Sequence, residues 1–255
     1  MNGKILFVSL LLMCSMKLNA QPSTAVRPDS ALQLHVFVQN PDSLRELWGS
    51  NENLHIVHLG DSHVRGQFFP AAVRDTLLCA HPHWTYSYHG INGATCVSFL
   101  LKADLKQLLQ ESPDLIIVSF GTNESHDYNL TAERFAKNLS HLIDNIFELA
   151  PKAVVLLTTP PGSYWRRYGV SQPNPRTRML ADEMLKVAKQ RQLCAWDMNA
   201  LSGGDARWWY RAGFFRPDKV HYTTEGYRMQ GSYLAIALLN FLKSECVCPT
   251  EPTNE

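Results

Sequence analysis

Short apolar segments alternate with helical segments along most of the chain. Two continuous apolar runs, Leu115–Phe120 and Ala153–Thr158, are typical of strands that are buried on both faces of a sheet. Shorter segments predict further strands at Leu54–Leu59, Trp84–Tyr88 and Leu193–Trp196. Such strands, separated by helices, indicate an α/β fold with a mostly parallel sheet that is covered on both faces. The predicted helices lie near Val97–Leu109, Thr131–Leu149, Arg176–Gln190 and Thr224–Leu242.

The first twenty residues have the layout of a secretory signal peptide. Lys4 precedes the apolar run Ile5–Met13, and the small residue Ala20 stands at the expected cleavage position. This run is shorter than the roughly 20 residues that span a bilayer, so an uncleaved anchor is the less favoured alternative. A lipoprotein at Cys14 is disfavoured further, because bulky Met13 stands where such sites need a small residue. We therefore expect export to the periplasm or the extracellular space.

The rest of the 255-residue chain fits a single domain, since α/β domains often reach roughly 200–250 residues. After the signal peptide at 1–20, we expect an N-terminal leader with a short helix at 21–50. The main domain then covers 51–245, and a C-terminal tail covers 246–255. No second apolar segment of spanning length follows, so stable membrane insertion after signal cleavage is not expected.

Composition and charge narrow the classes of function. With 45% hydrophobic and 18% charged residues, the chain is not a disordered, collagen-like or coiled-coil protein. Its 24 basic and 23 acidic residues give a net charge of +1, so no nucleic-acid partner is expected. Five cysteines lie beyond residue 20, an odd number that cannot all pair within one chain. Cys246 and Cys248 make a poor zinc site without a second pair, and His55 and His58 point to opposite faces of a strand, so we expect no metal.

Residues with catalytic chemistry follow the predicted strands. In open α/β sheets, ligands bind beyond the carboxyl ends of the strands. Ser62 follows the first strand in a Gly-Asp-Ser turn, Gly93 lies after the second, and Asn123 lies after the third in Gly-Thr-Asn. Asp218 and His221 form an Asp-x-x-His segment before the last predicted helix. Each element alone is compatible with an ordinary turn or capping residue, but their occurrence together at one edge of the sheet favours catalysis.

These residues have complementary roles in acyl transfer. A serine hydroxyl is a weak nucleophile, and the neutral imidazole of His221 can take its proton. Asp218 lies three residues before His221 and can orient the ring, which completes the logic of a Ser-His-Asp triad. The backbone N–H groups of Ser62 and Gly93 and the side-chain amide of Asn123 can bind the oxyanion of a tetrahedral intermediate.

The four motifs resemble those of the SGNH hydrolase superfamily, also called GDSL-type esterases. The matching positions are Ser62 in GDSH, Gly93 in NGAT, Asn123 in GTNE, and Asp218 with His221 in DKVH. The resemblance runs from about Leu54 to Leu242. It implies a flavodoxin-like, three-layer α/β/α fold with a five-stranded mostly parallel sheet, and ester hydrolysis without a metal or other cofactor. His63 departs from the commonest pattern, which has Leu after the nucleophile.

A narrower similarity concerns the substrate. The segments HLGDSH, GINGAT, TTPPGSY, WDMNALSGG and HYTTEGYRMQG resemble the exported branch that deacetylates polysaccharides, which includes peptidoglycan O-acetylesterase-like proteins. The resemblance implies a carbohydrate O-acetylesterase acting on an acetylated carbohydrate, with peptidoglycan as the favoured substrate. The alternatives are a lipase or thioesterase on the same scaffold, a glycan-binding relative and an acetyl-transferring relative. An α/β-hydrolase fold is set aside, because no Gly-x-Ser-x-Gly surrounds Ser62.

Weaker signals concern contacts with the substrate. Trp208 and Trp209 precede the Asp-x-x-His segment and could form the floor of a sugar-binding cleft, although aromatic residues also pack in cores. Arg166 follows the fourth predicted strand at the functional edge. It could meet an anionic glycan, although a solvated surface position is its alternative.

Overall fold

The structure is a computed structural model that describes residues 32–38, 41–49, 53–100 and 102–243. The predicted signal peptide and the predicted tail, with Cys246 and Cys248, lie outside the described residues, so those domain boundaries stay predictions. The short helix expected before the main domain is present as Pro41–Gly49. None of the helices within the described ranges is long and apolar enough to cross a membrane.

Two sheets contain the described strands. In chain order, the strands are β1 (His35–Val36), β2 (His55–Gly60), β3 (Thr85–Gly90), β4 (Leu115–Ser119), β5 (Val154–Thr158), β6 (Tyr164–Arg167), β7 (Val170–Pro173) and β8 (Cys194–Trp196). The central sheet has the order β1-β8-β5-β4-β2-β3, in which all pairs are parallel except β1 with β8. The predicted, mostly parallel sheet is confirmed, and the short antiparallel edge strand β1 makes its strands six rather than five. Strands β6 and β7 form a separate hairpin.

Three of the four longest described helices agree with the sequence pattern, and several other helices were not expected from it. In chain order, the helices are α1 (Pro41–Gly49), α2 (Ser62–Arg65), α3 (Phe68–Ala80), α4 (Lys102–Leu108), α5 (Thr122–His126), α6 (Ala132–Leu149), α7 (Pro175–Gln190), α8 (Ala206–Arg211) and α9 (Thr224–Lys243). The helix expected over Val97–Leu109 is divided into a 3₁₀ turn, Cys96–Phe99, and α4. Helix α3 and the β6–β7 hairpin have no counterpart in the predicted elements.

The central strands separate two hydrophobic layers. Along β4, Leu115 and Ile117 belong to one buried cluster, whereas Ile116 and Val118 belong to the other. This alternation follows from the period of two along a strand. The first cluster includes side chains of α1, α3 and α9, and the second includes side chains of α4, α6 and α7. The result is the expected three-layer α/β/α arrangement, with the carboxyl ends of the parallel strands at one edge.

Candidate active site

Ser62 begins the one-turn helix α2 directly after β2. Helix α2 packs closely against the end of neighbouring β3, because a Cβ at Gly90 would lie 2.1 Å from the backbone nitrogen of Arg65. The side chain of Asp61 caps α2 by accepting a hydrogen bond from the His63 N–H at 2.8 Å. Burial raises the pKa of Asp61 to about 8, and the charge of Glu124 adds to this rise. These contacts hold the Ser62 hydroxyl at the edge of the sheet.

His221 lies in the loop that precedes α9, and it joins Ser62 to Asp218. Its Nε2 lies 2.9 Å from Ser62 Oγ, and its Nδ1 lies 2.9 Å from Asp218 Oδ2. An ionised carboxylate only accepts hydrogen bonds, so Nδ1 carries the proton and Nε2 is the acceptor for the Ser62 hydroxyl. The structure therefore brings together the three residues that the sequence singled out for a triad.

Backbone hydrogen bonds fix the carboxylate of Asp218. Its Oδ1 accepts from the N–H groups of Val220 at 2.9 Å and of His221 at 2.8 Å. Partial burial acts to raise the pKa of Asp218, but these two bonds and the interactions with the His221 ring outweigh it, so the pKa lies below its usual range. Asp218 is therefore ionised near neutral pH and suited to stabilise an imidazolium at His221.

Three hydrogen-bond donors lie at the same edge of the sheet. Gly93 has φ +72°, and a Cβ there would meet nothing within 4 Å, so a ligand can approach its N–H. The Asn123 side chain donates one N–H to the carbonyl of Ala94 at 2.8 Å, and its second amide hydrogen has no acceptor among the residues that the structure describes. Within the described residues, the backbone N–H groups of Ser62 and Gly93 have no protein acceptor. These are the donors that the sequence suggested for an oxyanion hole.

Glu124 was not expected from the sequence, and it ties the loop around Gly93 to helix α5. The carboxylate is 3% exposed, with Oε1 accepting from the Cys96 N–H at 2.7 Å and Oε2 accepting from the Gly121 N–H at 3.0 Å. Burial raises the pKa of Glu124, whereas the bonds from the two N–H groups favour the ionised form. Its only sequence signal is its place directly after Asn123.

His63 is buried next to His221. Its ring centroid lies 5.5 Å from that of His221, and its Nδ1 lies 3.0 Å from the hydroxyl of Tyr227. Burial, and then the charge of His221, lowers the pKa of His63 to about 3, so the ring is neutral. His63, which stands where the commonest family motif has Leu, therefore places an uncharged aromatic ring beside His221.

Of the three residues suggested for substrate contact, only Trp209 needs correction, and Trp208 and Arg166 stay predictions. Trp209 is fully buried and packs edge-on against Tyr222 at 5.0 Å, so it belongs to the core rather than to a sugar-binding surface. Trp208 is half-buried and packs against Trp209 and Phe214. Arg166 is exposed, and its Nε donates to the carbonyl of Gly169 in the β6–β7 turn. The aromatic cluster thus supports the loop of Asp218 and His221 from within.

Two grooves flank this part of the molecule, and neither is lined by the triad. The β3 groove has a volume of about 360 Å³ and is lined by Arg65, Tyr88, Ile91 and Gln107, among others. The hairpin groove has a volume of about 610 Å³ and lies between β6–β7 and the starts of α7 and α8. It is lined by Trp165, Arg167, Arg178 and Arg207, among others. The described residues contain no group of three or more His, Cys, Asp or Glu side chains that could hold a metal ion.

Comparison with known proteins identifies the family. No curated protein matches the chain, whereas residues 42–229 match the model of the GDSL-like lipase/acylhydrolase family. A peptidoglycan O-acetylesterase has a TM-score of 0.72 at 17% identity, covering 83% of this chain and 99% of that one. A two-domain esterase active on acetylated mannans, crystallised with mannopentaose, has a TM-score of 0.59 at 20% identity and coverages of 84% and 56%. A lipase/acylhydrolase from Enterococcus faecalis has a TM-score of 0.54 at 25% identity and coverages of 71% and 93%.

The two carbohydrate-esterase structures share the fold with this chain, and the family match covers the segments that contain Ser62, Gly93, Asn123, Asp218 and His221. The chain belongs to the GDSL-like lipase/acylhydrolase family, the SGNH hydrolases, as its four motifs indicated.

Proposed function

We propose that the protein is an exported serine esterase that removes O-acetyl groups from a polysaccharide, with cell-wall peptidoglycan as the favoured substrate. The observation that carries the proposal is the continuous relay from Asp218 through His221 to Ser62, with both links at 2.9 Å. The similarity to a peptidoglycan O-acetylesterase and to an esterase active on acetylated mannans supports the choice of an acetylated polysaccharide.

In the first half of the reaction, Ser62 Oγ attacks the acetyl carbonyl carbon while its proton passes to His221 Nε2. The backbone N–H groups of Ser62 and Gly93 and the second amide hydrogen of Asn123 bind the developing oxyanion. Collapse of the intermediate breaks the bond to the sugar oxygen, which leaves as an alcohol with the proton from His221. The acetyl group remains on Ser62.

In the second half, His221 takes a proton from water, and the resulting hydroxide adds to the acetyl carbonyl of the acyl-enzyme. The oxyanion is bound by the same donors, and its collapse releases acetate while Ser62 regains its proton from His221. Asp218 stays ionised throughout and stabilises the imidazolium that forms in each half. Transfer of the acetyl group to a second sugar instead of water would use the same residues.

Export is part of the proposal because the polymer lies outside the cytoplasm. It rests on the signal-peptide layout of residues 1–20, where Lys4 precedes the apolar run Ile5–Met13. We expect the mature protein in the periplasm or the extracellular space.

The test is acetate release by the purified mature protein from O-acetylated peptidoglycan, acetylated xylan and a long-chain p-nitrophenyl ester. We expect release from peptidoglycan, and we expect Ser62→Ala to lower it by at least about 10³-fold with an unchanged melting temperature. Activity on xylan alone would move the substrate to another glycan, and activity on the long-chain ester alone would favour a lipase. Full activity in Ser62→Ala would refute the mechanism.

A further inference from the structure

The hairpin groove is separate from the triad but adjoins it through the backbone. Strand β6 begins at Tyr164, whose N–H donates to the carbonyl of Lys219 at 2.9 Å. Lys219 lies between Asp218 and His221, so the first residue of the hairpin is hydrogen-bonded to the loop that contains these two residues. The next residue, Trp165, lines the groove. The groove is thus held next to the loop that contains Asp218 and His221.

The groove contains more positive charge than its carboxylates neutralise. Of the three arginines that line it, Arg178 is committed to ion pairs with Asp182 and Asp197. Among the described residues, Arg207 has one ion pair, a contact of 3.5 Å with Asp205. Both Arg207 and the third arginine, Arg167, are exposed to solvent.

Arg167 has no carboxylate within ion-pair distance among the described residues. Its guanidinium lies over the rings of Trp165, at 5.6 Å, and Tyr168, at 5.2 Å. Stacking on two aromatic rings orients the guanidinium and leaves its N–H groups available for a ligand. Lys219, in the loop of Asp218 and His221, adds a positive charge beside the hairpin, since its Nζ lies 5.3 Å from the centre of the Tyr164 ring and 4.6 Å from that of Tyr210.

Aromatic surface accompanies these cations. Tyr128 is exposed and stacked on the largely buried Trp165, with ring centroids 5.2 Å apart, while Tyr168 is 89% exposed at the hairpin turn. Guanidinium groups bind carboxylates through paired hydrogen bonds, and ligand sites combine apolar or aromatic surface with a few oriented polar groups. Exposed aromatic rings beside Arg167, which has no carboxylate partner among the described residues, suit a sugar polymer that carries carboxylates.

We propose that the hairpin groove is a carboxylate subsite, in which Arg167 and Arg207 bind an acidic group of the polysaccharide while Ser62 acts on a neighbouring acetylated sugar. The inference rests on the proposed function and narrows its substrate class to anionic glycans. The carboxylate can belong to the sugar itself or to a peptide substituent, because both present the same group to a guanidinium.

The test compares the double variant Arg167→Gln/Arg207→Gln with a control that removes the same charge elsewhere. Lys152→Gln/Lys189→Gln serves as the control, because both lysines are exposed and precede β5 and β8 at the opposite edge of the sheet. We expect the arginine variant to lower the ratio of kcat/KM on O-acetylated peptidoglycan to kcat/KM on p-nitrophenyl acetate by about tenfold, mainly through KM. The control should leave this ratio unchanged.

Two further substrates separate charge from shape. Converting the carboxylates of peptidoglycan to methylamides should lower kcat/KM of the wild type by roughly tenfold. On this methylamidated substrate, the arginine variant should have the same kcat/KM as the wild type, because the interaction is already lost. Acetylated pectin has its carboxylates on the sugars, so an effect of the variant there assigns the site to acidic sugars, and an effect confined to peptidoglycan assigns it to peptide carboxylates. Equal losses on every substrate, or a wild type indifferent to amidation, would overturn the subsite.

A binding measurement keeps the subsite testable apart from the reaction. Insoluble O-acetylated peptidoglycan should retain Ser62→Ala, and adding the two arginine substitutions should weaken this retention by about tenfold. If no polysaccharide is deacetylated but this difference in retention is found, the proposed esterase function fails and the subsite stands. If acetate is released but retention is the same in both proteins, the function stands and the subsite fails.

Discussion

Replacing Glu124 by glutamine tests whether the buried carboxylate positions the loop around Gly93, whose N–H is a proposed oxyanion donor. Glu124 accepts the Cys96 N–H at 2.7 Å and the Gly121 N–H at 3.0 Å, and thereby joins the residues after Gly93 to the start of α5. Glutamine has nearly the same shape but a single acceptor oxygen, so it can keep only one of these bonds. Its NH₂ group would then face the other backbone N–H.

The expected magnitude follows from these contacts. Loss of one hydrogen bond to a carboxylate should lower the free energy of unfolding by about 2 kcal/mol. Complete loss of an oxyanion donor lowers turnover by on the order of 10²–10³. The Asn123 bond to the Ala94 carbonyl still holds the loop in the variant, so the Gly93 N–H should shift rather than leave the site. We therefore expect kcat to fall about tenfold, which corresponds to about 1.4 kcal/mol in the barrier.

The assay is the hydrolysis of p-nitrophenyl acetate with kcat and KM measured separately, together with urea unfolding. We expect KM to change less than threefold, because the donor acts mainly on charge that develops in the transition state. Glu46→Gln on α1 is the matched control, since Glu46 is exposed and lies outside the site. A variant that is less stable but keeps its full kcat would refute the positioning role of Glu124.

Two other predictions concern the residues around the nucleophile. Gly90→Ala should lower activity by at least about 100-fold and destabilise the protein by about 1–3 kcal/mol, because its Cβ would lie 2.1 Å from the backbone nitrogen of Arg65. Gly66→Ala is the control, since the nearest atom to its Cβ is 3.3 Å away. Its activity and melting temperature should change much less. Asp61→Asn should become more stable relative to the wild type as the pH rises from about 4 to about 8, because the unfolded carboxyl ionises near 3.8 while the folded one keeps its proton up to about 8. Urea unfolding at pH 5 and pH 8 measures this difference, expected to grow by up to about 1.4 kcal/mol per pH unit, and a constant difference would contradict the raised pKa.

The parts of the fold that the sequence predicted are those whose periodicity is set by burial. The run Leu115–Phe120 is almost the observed β4, and the helix expected over Thr131–Leu149 is α6 within one residue. The β6–β7 hairpin escaped prediction because most of its residues are exposed and its sequence, YWRRYGVSQP, has no alternating apolar face. Its position depends on a backbone hydrogen bond to Lys219, a contact between distant parts of the chain that no local pattern encodes.

The candidate triad could be inferred because a general rule places functional residues after parallel strands. The contacts that hold it could not. Glu124 acts through backbone N–H groups, which every residue has, so the sequence gives no sign of its partner Cys96. The burial of Trp209 depends on how α8 packs against Tyr222, and an aromatic run alone does not reveal which ring faces the core.

The placement of the two grooves bears on the kind of substrate. Ser62 follows β2, which lies between β3 and β4 in the sheet. The β3 groove lies on one side of this position, and the hairpin groove follows β5 on the other. Our proposal of a charged polymer rather than an acyl chain rests on Arg65, which lines the β3 groove together with Asp104, and on Arg167 in the hairpin groove. The scaffold supplies the acyl-transfer geometry, and the residues beside it then decide between a glycan and a lipid.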